Sequence, residues 1–373
     1  HPMRFEDFKG HFHYEDDHVM VENFHGKMGR TAFDIDMNYY LGKNPEIRKR
    51  DNHFGLKANY IDFDQLFNFN LTPPTEALPT PTENSTAQST EDVKEHAEAF
   101  NLYELPFTDM TFDIDVGHFI YHRIDLQKIH TRLRTSQNHY IYIDTLDLNA
   151  AGGNIKMSGY FNGSDPKHIY LKPDLRFKNV DLDKLLFKFE NFGQDALVSE
   201  NLHGKLTADI KGKIRMYPDM IPDIDQSEIH MNVQVLDGRL ENYEYMLLLS
   251  DYLGDKDLTS VRFDTLQNHI DIKNGELTIP KMTIESTIGH FELSGKQDMN
   301  FNMEYFIRIP WSIIKEGARY TVFGNKKTAD GQTGDDEIIE VDPNKKTRYL
   351  NLKIHGNMDD YKITLGKAKK RNR

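Results

Sequence analysis

Apolar and polar residues alternate along much of this chain. MTFDIDVGHFIY puts Met110, Phe112, Ile114 and Val116 on one face and threonine and aspartate on the other. HYIYIDTLDL sets Ile141 and Ile143 against Tyr140 and Tyr142, and NIKMSGYF follows with Met157. MNVQVLDG gives Met231, Val233 and Val235, then an Asp-Gly turn signal. HIDIKNGELTIP gives Ile270 and Ile272, an Asn274-Gly275 hairpin signal, then Ile279. MTIESTIGHFELSG adds Ile284, Phe291 and Leu293, and DMNFNMEYFIRIP adds Phe301, Met303, Tyr305 and Ile307. Period-two runs bounded by Asn-Gly and Asp-Gly predict antiparallel, half-buried strands. The named residues form the inward phase and are the expected lining of an apolar groove.

Helical spacing is rare. LENYEYMLLLSDYLG (240–254) places Tyr243, Met246 and Leu247 on one stripe and Leu248 on the next, ahead of a Gly254 stop. That face is wide for a surface helix, and the expectation is a helix that gates the groove, with a plain packing helix as the alternative. PWSIIKEGARYTVFG (310–324) and DLDKLLFKF (181–189) predict two more short helices. Residues 71–98 are rich in Pro, Thr, Ser and Glu and predict a flexible linker; 325–346 predict a polar loop.

One phrase recurs. NFHGKM (23–28) and NLHGKL (201–206) differ at two letters, and residues 18–40 lie over 139–161 with matching apolar positions. YIDFDQLF (60–67) falls on NVDLDKLL (179–186). A repeat of roughly 120 residues follows, and each glycine is expected to let a strand bend.

Composition narrows the function. Net charge is −13, against nucleic-acid binding. The basic tail KAKKRNR (367–373) is a solvated end or a contact for anionic headgroups. The chain has no cysteine, which removes disulfides, thiolate zinc sites and cysteine nucleophiles. No apolar run is long enough to span a bilayer. The abrupt start, HPMRFEDFKG, is that expected of a piece of a longer protein. HFHYEDDH (11–18) is the densest group of metal-ligand residue types, but no second cluster completes a shell. No nucleophile elbow, P-loop or dinucleotide fingerprint occurs. No enzyme activity, cofactor or metal is expected, and outward-facing acids read as solubilising charge.

The order of parts resembles the AsmA-like family. The stretch from NLHGKLTADIKGKIRM through MNVQVLDGRLENYEYMLLLSDYLG, VRFDTL, the NG hairpin, MTIESTIGHFELSG and MNFNMEYFIRIP is similar to its C-terminal region. LPFTDMTFDIDVGHFIYHRIDLQKIHTRLRT with HYIYIDTLDLNAAGGNIKMSG is similar to an upstream repeat. The resemblance implies a mostly β, taco-like elongated antiparallel sheet with an apolar groove, built from internal repeats with a few short helices. It implies a periplasmic protein of the bridge-like lipid transfer class, anchored in the inner membrane by an N-terminal helix absent from this chain. The ligand would be phospholipid or another acyl-chain lipid, with envelope proteins as further partners and outer-membrane lipid homeostasis as the role. The Tyr/Phe/Asn/Lys-rich style points to a Bacteroidota-type member. The expected layout is an upstream β repeat (1–70), the linker (71–98), a C-terminal β domain (99–324), the polar loop (325–346), and final strands with the basic tail (347–373). The alternative is a non-enzymatic assembly scaffold that binds a protein partner.

Overall fold

A computed structural model describes residues 5–63, 102–121, 124–188, 199–247, 253, 257–314, 338, 347–357 and 360–366. It is mostly β: among the described residues, eighteen strands belong to one open, mostly antiparallel sheet. They are β1 (Phe5–Glu15), β2 (His18–Met28), β3 (Thr31–Tyr40), β4 (His53–Ala58), β5 (Ile61–Asp62), β6 (Met110–Tyr121), β7 (Ile124–Ser136), β8 (Tyr140–Ala150) and β9 (Gly153–Asn162), followed by β10 (Tyr170–Asp181), β11 (Leu202–Met216), β12 (Pro222–Glu241), β13 (Ser260–Lys273), β14 (Glu276–Ser286), β15 (Gly289–Asp298), β16 (Met303–Pro310), β17 (Tyr349–Gly356) and β18 (Tyr361–Leu365). Among the described residues, three short α-helices accompany them: α1 (Pro45–Asp51), α2 (Leu182–Lys188) and α3 (Glu244–Leu247).

Hairpin chemistry explains the order. Asp16 and Asp17 (φ 48° and 64°) join β1 to β2, Ala151 and Gly152 (46° and 74°) join β8 to β9, and Asn274 and Gly275 (50° and 72°) join β13 to β14. Two consecutive left-handed residues match the twist of the flanking strands, so the chain reverses in two positions. The exception is parallel: β4 and β5 both pair with β6 in parallel, with Phe54 opposite Phe112 and Ile61 opposite Phe119. The sequence pattern predicts antiparallel neighbours throughout. A parallel pair needs a long connection, and the Pro/Thr-rich segment between Asp62 and Met110 supplies that length.

Several local expectations change. Asp237-Gly238 lies inside β12, which runs on to Glu241; Asp237 is left-handed (φ 51°) within the strand, so no hairpin turn forms there. Phe301 sits in the turn before β16 with φ 59°, where Asp298 Oδ1 accepts from the backbone N–H groups of Asn300 and Asn302. The helix expected over 240–254 starts at Glu244, since Leu240 and Glu241 finish β12, and Leu248 onward to Tyr252 lies outside the described residues. The helix expected over 310–324 is a single 3-10 turn at Trp311–Ile313; residues 315–324 lie outside the described residues, as do the linker 71–98, the loop 325–346 except Ile338, and the tail 367–373. The expected helix over 181–189 forms as α2.

The chain divides into two compact units. Unit 1 comprises residues 1–150, 154–175 and 212–223; unit 2 comprises 151–153, 176–211 and 224–373. In unit 1 a buried cluster joins Leu102, Phe161, Ile169 and Met216. In unit 2 one cluster gathers Leu182, Val235, Phe263 and Ile284, and a larger one gathers Met246, Leu253, Val261, Ile288, Met303, Ile307, Ile309 and Leu352 with their neighbours.

Candidate functional site

Strand register in unit 1 lines up apolar residues in rows. One row runs Phe12, Val21, Met37, Phe54, Phe112, Leu133 and Ile143, each directly opposite the next. A second runs Phe24, Ile35, Leu56, Ile114, Thr131 and Leu146. A third runs Phe33, Ala58, Val116 and Ile129. Because side chains alternate with period two, residues such as Phe54, Leu56 and Ala58 share one face. Strands lie about 4.8 Å apart and same-face residues roughly 6.7 Å apart, so the patch is roughly 29 Å by 13 Å.

The rows are half-buried. Among them only Val21, Ala58, Val116 and Thr131 are buried, and Phe12 is 66% exposed. Aromatic rings tile one end: Phe24 lies 5.8 Å from Phe8, 5.4 Å from Phe12 and 5.9 Å from Phe33. Gly26 makes room there, since a Cβ on it would collide with the Phe8 ring.

The opposite face of the same strands is charged. His53 bridges Asp36 and Asp113 at 3.1 and 3.2 Å, His130 meets Asp115 at 2.6 Å, and Arg134 meets Asp144 at 2.6 Å. The Arg134 guanidinium holds the Asp144 carboxyl below its usual range. Exposed pairs of this kind contribute little to stability and keep that face wet. A concavity of about 970 Å³ has Lys9, His25, Asp34, Lys57, Asp115 and His130 in its lining, one charged row across the strands.

The residues expected to line a groove divide by unit. Ile143 lies in the first row of unit 1, Met157 is half-buried on β9, and Ile141 packs against the Phe161 cluster. In unit 2, Val235, Ile284, Met303 and Ile307 are buried in packed clusters. Met231, Val233, Ile270, Ile272, Ile279, Phe291, Leu293, Phe301 and Tyr305 are half-buried. Pairing aligns Met231 with Ile270, Ile284 with Phe291 and Leu293 with Ile307. Tyr305 donates to Gln297 Oε1 at 2.8 Å, and burial pushes its phenol up to about 12. On α3, Met246 is buried and Leu247 is 38% exposed; Tyr243, just before α3, packs against the same cluster as Ile307 and Leu352.

The aromatic rows on β1 to β4 are additional to the expected lining. Their signal was the alternation in TAFDIDMNYY and HFGLKA. The HFHYEDDH group does not converge. His11 and His13 are exposed on β1, opposite Glu22 and Met20, whereas His18 turns to Asp51 at 3.1 Å and packs on Tyr40.

These features define a mostly β protein with an amphipathic, mostly antiparallel sheet. No family model, curated protein or solved structure matches the chain. No helix among the described residues is long and apolar enough to cross a membrane.

Proposed function

We propose that this chain holds or conducts phospholipid or another acyl-chain lipid along its apolar sheet face. In that role it would act in the periplasm, as part of an inner-membrane-anchored protein supporting outer-membrane lipid homeostasis. The observation that carries the reading is the set of three adjacent apolar rows left half-open on unit 1. An exposed apolar patch this wide marks an interaction surface. Its length of roughly 29 Å exceeds the ~15 Å that one leaflet of a ~30 Å hydrocarbon core provides for a chain. Phenylalanine and methionine side chains make a surface that tolerates varied apolar ligands.

The test is organic extraction and mass spectrometry of the purified protein, beside Leu56→Asp and Ile114→Asp. Both residues are half-buried in the second row. The expected result is acyl lipid bound to the parent and reduced at least several-fold in both variants, with far-UV circular dichroism unchanged. Absence of acyl lipid above a mock preparation, or equal lipid in all three proteins, would overturn it.

A second reading, a scaffold that docks a protein partner, is favoured by the exposed aromatic side chains on β1, Phe8, Phe12 and Tyr14. Tyr14→Ser, on a side chain outside the three rows, should then weaken partner capture while leaving bound lipid unchanged.

A further inference from the structure

We propose that His230, His269 and Asp271 on the solvent face of β12 and β13 form a binding site for a borderline divalent cation, with Zn²⁺ as the reference ion. Each residue offers one ligand atom, and the three atoms lie within 4.8 Å of one another. His230 is directly opposite Asp271 in the ladder, and His269 precedes Asp271 by two positions on the same strand. Period two puts all three on one face. The two imidazoles stack with centroids 6.2 Å apart and planes 10° from parallel.

Two nitrogens converge on one oxygen. Asp271 Oδ1 is 2.6 Å from His230 Nδ1 and 3.1 Å from His269 Nε2. His269 Nδ1 donates to Asn232 Oδ1 at 2.8 Å. In a neutral imidazole the other nitrogen is then an acceptor. Its lone pair faces the carboxylate oxygen, a contact that only a cation between them, proton or metal, makes favourable. His230 Nε2 lies 3.7 Å from Glu228 Oε1, too far for a hydrogen bond. The amide oxygen behind His269 is the kind of outer partner that fixes tautomer and ring direction at metal sites. Zn²⁺ bonds of about 2.0–2.2 Å to nitrogen and oxygen imply ligand separations of roughly 3.4 Å. The two nitrogen–oxygen contacts, at 2.6 and 3.1 Å, need to open by under about 1 Å to admit it. Two imidazoles and a carboxylate suit zinc, nickel or copper rather than magnesium, and leave a coordination position for water.

Neighbouring charge is compatible. Lys273 is engaged 3.1 Å from Glu228. The scaffold is firm, because β12 and β13 pair from Glu228–Lys273 to Glu241–Ser260.

Isothermal titration of the full chain with ZnCl₂ tests this at neutral pH in a non-coordinating buffer. One saturable site is expected. His230→Ala and His269→Ala should each weaken it at least ten-fold, and Asn232→Ala about ten-fold through loss of orientation. His11→Ala with His13→Ala should leave it unchanged. The substituted side chains are exposed, so circular dichroism should show the parent fold in each variant. Unchanged zinc affinity in the double variant His230→Ala/His269→Ala would overturn the site. So would displacement of zinc by equimolar Mg²⁺.

Discussion

Gly26 and Gly204 stand at the same letter of the recurring phrase and do different work. Gly26 has ordinary backbone and lies within β2, under the Phe8 ring; the bend in that strand falls instead at Asn23 (φ 50°), between the register positions of Val21 and Phe24. Gly204 has φ +139°, and a Cβ there would lie 2.8 Å from Val235 Cγ1 and 3.1 Å from the Leu236 carbonyl oxygen. Gly204→Ala should therefore cost about 1–3 kcal/mol. Gly26→Ala should cost less than about 1 kcal/mol, since Phe8 is exposed and can swing away. Urea midpoints compare the two, and equal costs would refute the assignment. His290 is a second residue with a defined consequence. Its Nε2 is buried without a hydrogen-bond partner among the described residues, and burial lowers its pKa from the usual 6.5 despite Glu285 and Glu292 nearby. The folded state thus binds this proton less readily than the unfolded chain. The stability involved is complete above pH 6.5 and lost as pH falls. His290→Phe should flatten the decline in stability between pH 7 and pH 5, read from denaturation midpoints. A decline as steep as the parent's would count against it.

Strands of similar alternation sort into two kinds of element. β16 sends Met303, Ile307 and Ile309 into a packed cluster covered in part by Met246 of α3. β6 sends Phe112 and Ile114 onto the half-open rows. Ile307→Ala should cost about 2–5 kcal/mol, as expected when a cavity is left in a core. Ile114→Ala should cost under about 1.5 kcal/mol, because half-burial of such a side chain forfeits only part of the ~1.5–3 kcal/mol of full burial. Thermal denaturation of both variants measures the contrast. If the Ile114 change proves as costly as the Ile307 change, the face on β6 is a closed core, and the lipid reading loses its basis. The α3 stripe was readable as apolar from LENYEYMLLLSDYLG. Its start was not, because β12 keeps its ladder with β13 to Glu241 and consumes the first two positions.

At the scale of the molecule, the two units interleave along the sequence. Unit 1 takes 154–175 and 212–223 in addition to 1–150, and its Leu102 core needs Phe161, Ile169 and Met216 from those later segments. A fragment 1–150 should therefore melt earlier and exchange amide hydrogens faster around Leu102 than the same residues do in the full chain. Identical protection at Leu102 in fragment and full chain would show that the later segments are dispensable. The linear layout read from composition, with a break at 71–98, follows the chain. The two compact units instead draw together segments distant in the chain, which sequence position alone does not reveal.

Alternation and the Asn-Gly signal by themselves determined the mostly β class and the two-residue turn at Asn274-Gly275, because side-chain period and turn dihedrals are local properties. Whether an inward face is covered was decided only in three dimensions. Ile307 and Ile114 both lie in alternating strands and have opposite surroundings, since α3, Leu253 and Ile314 close over the first. The parallel pairing of β4 with β6 and the meeting of His230 with His269 also depend on register between strands. Register is set by the summed packing and hydrogen bonding of whole ladders, a long-range quantity that no single stretch of sequence contains.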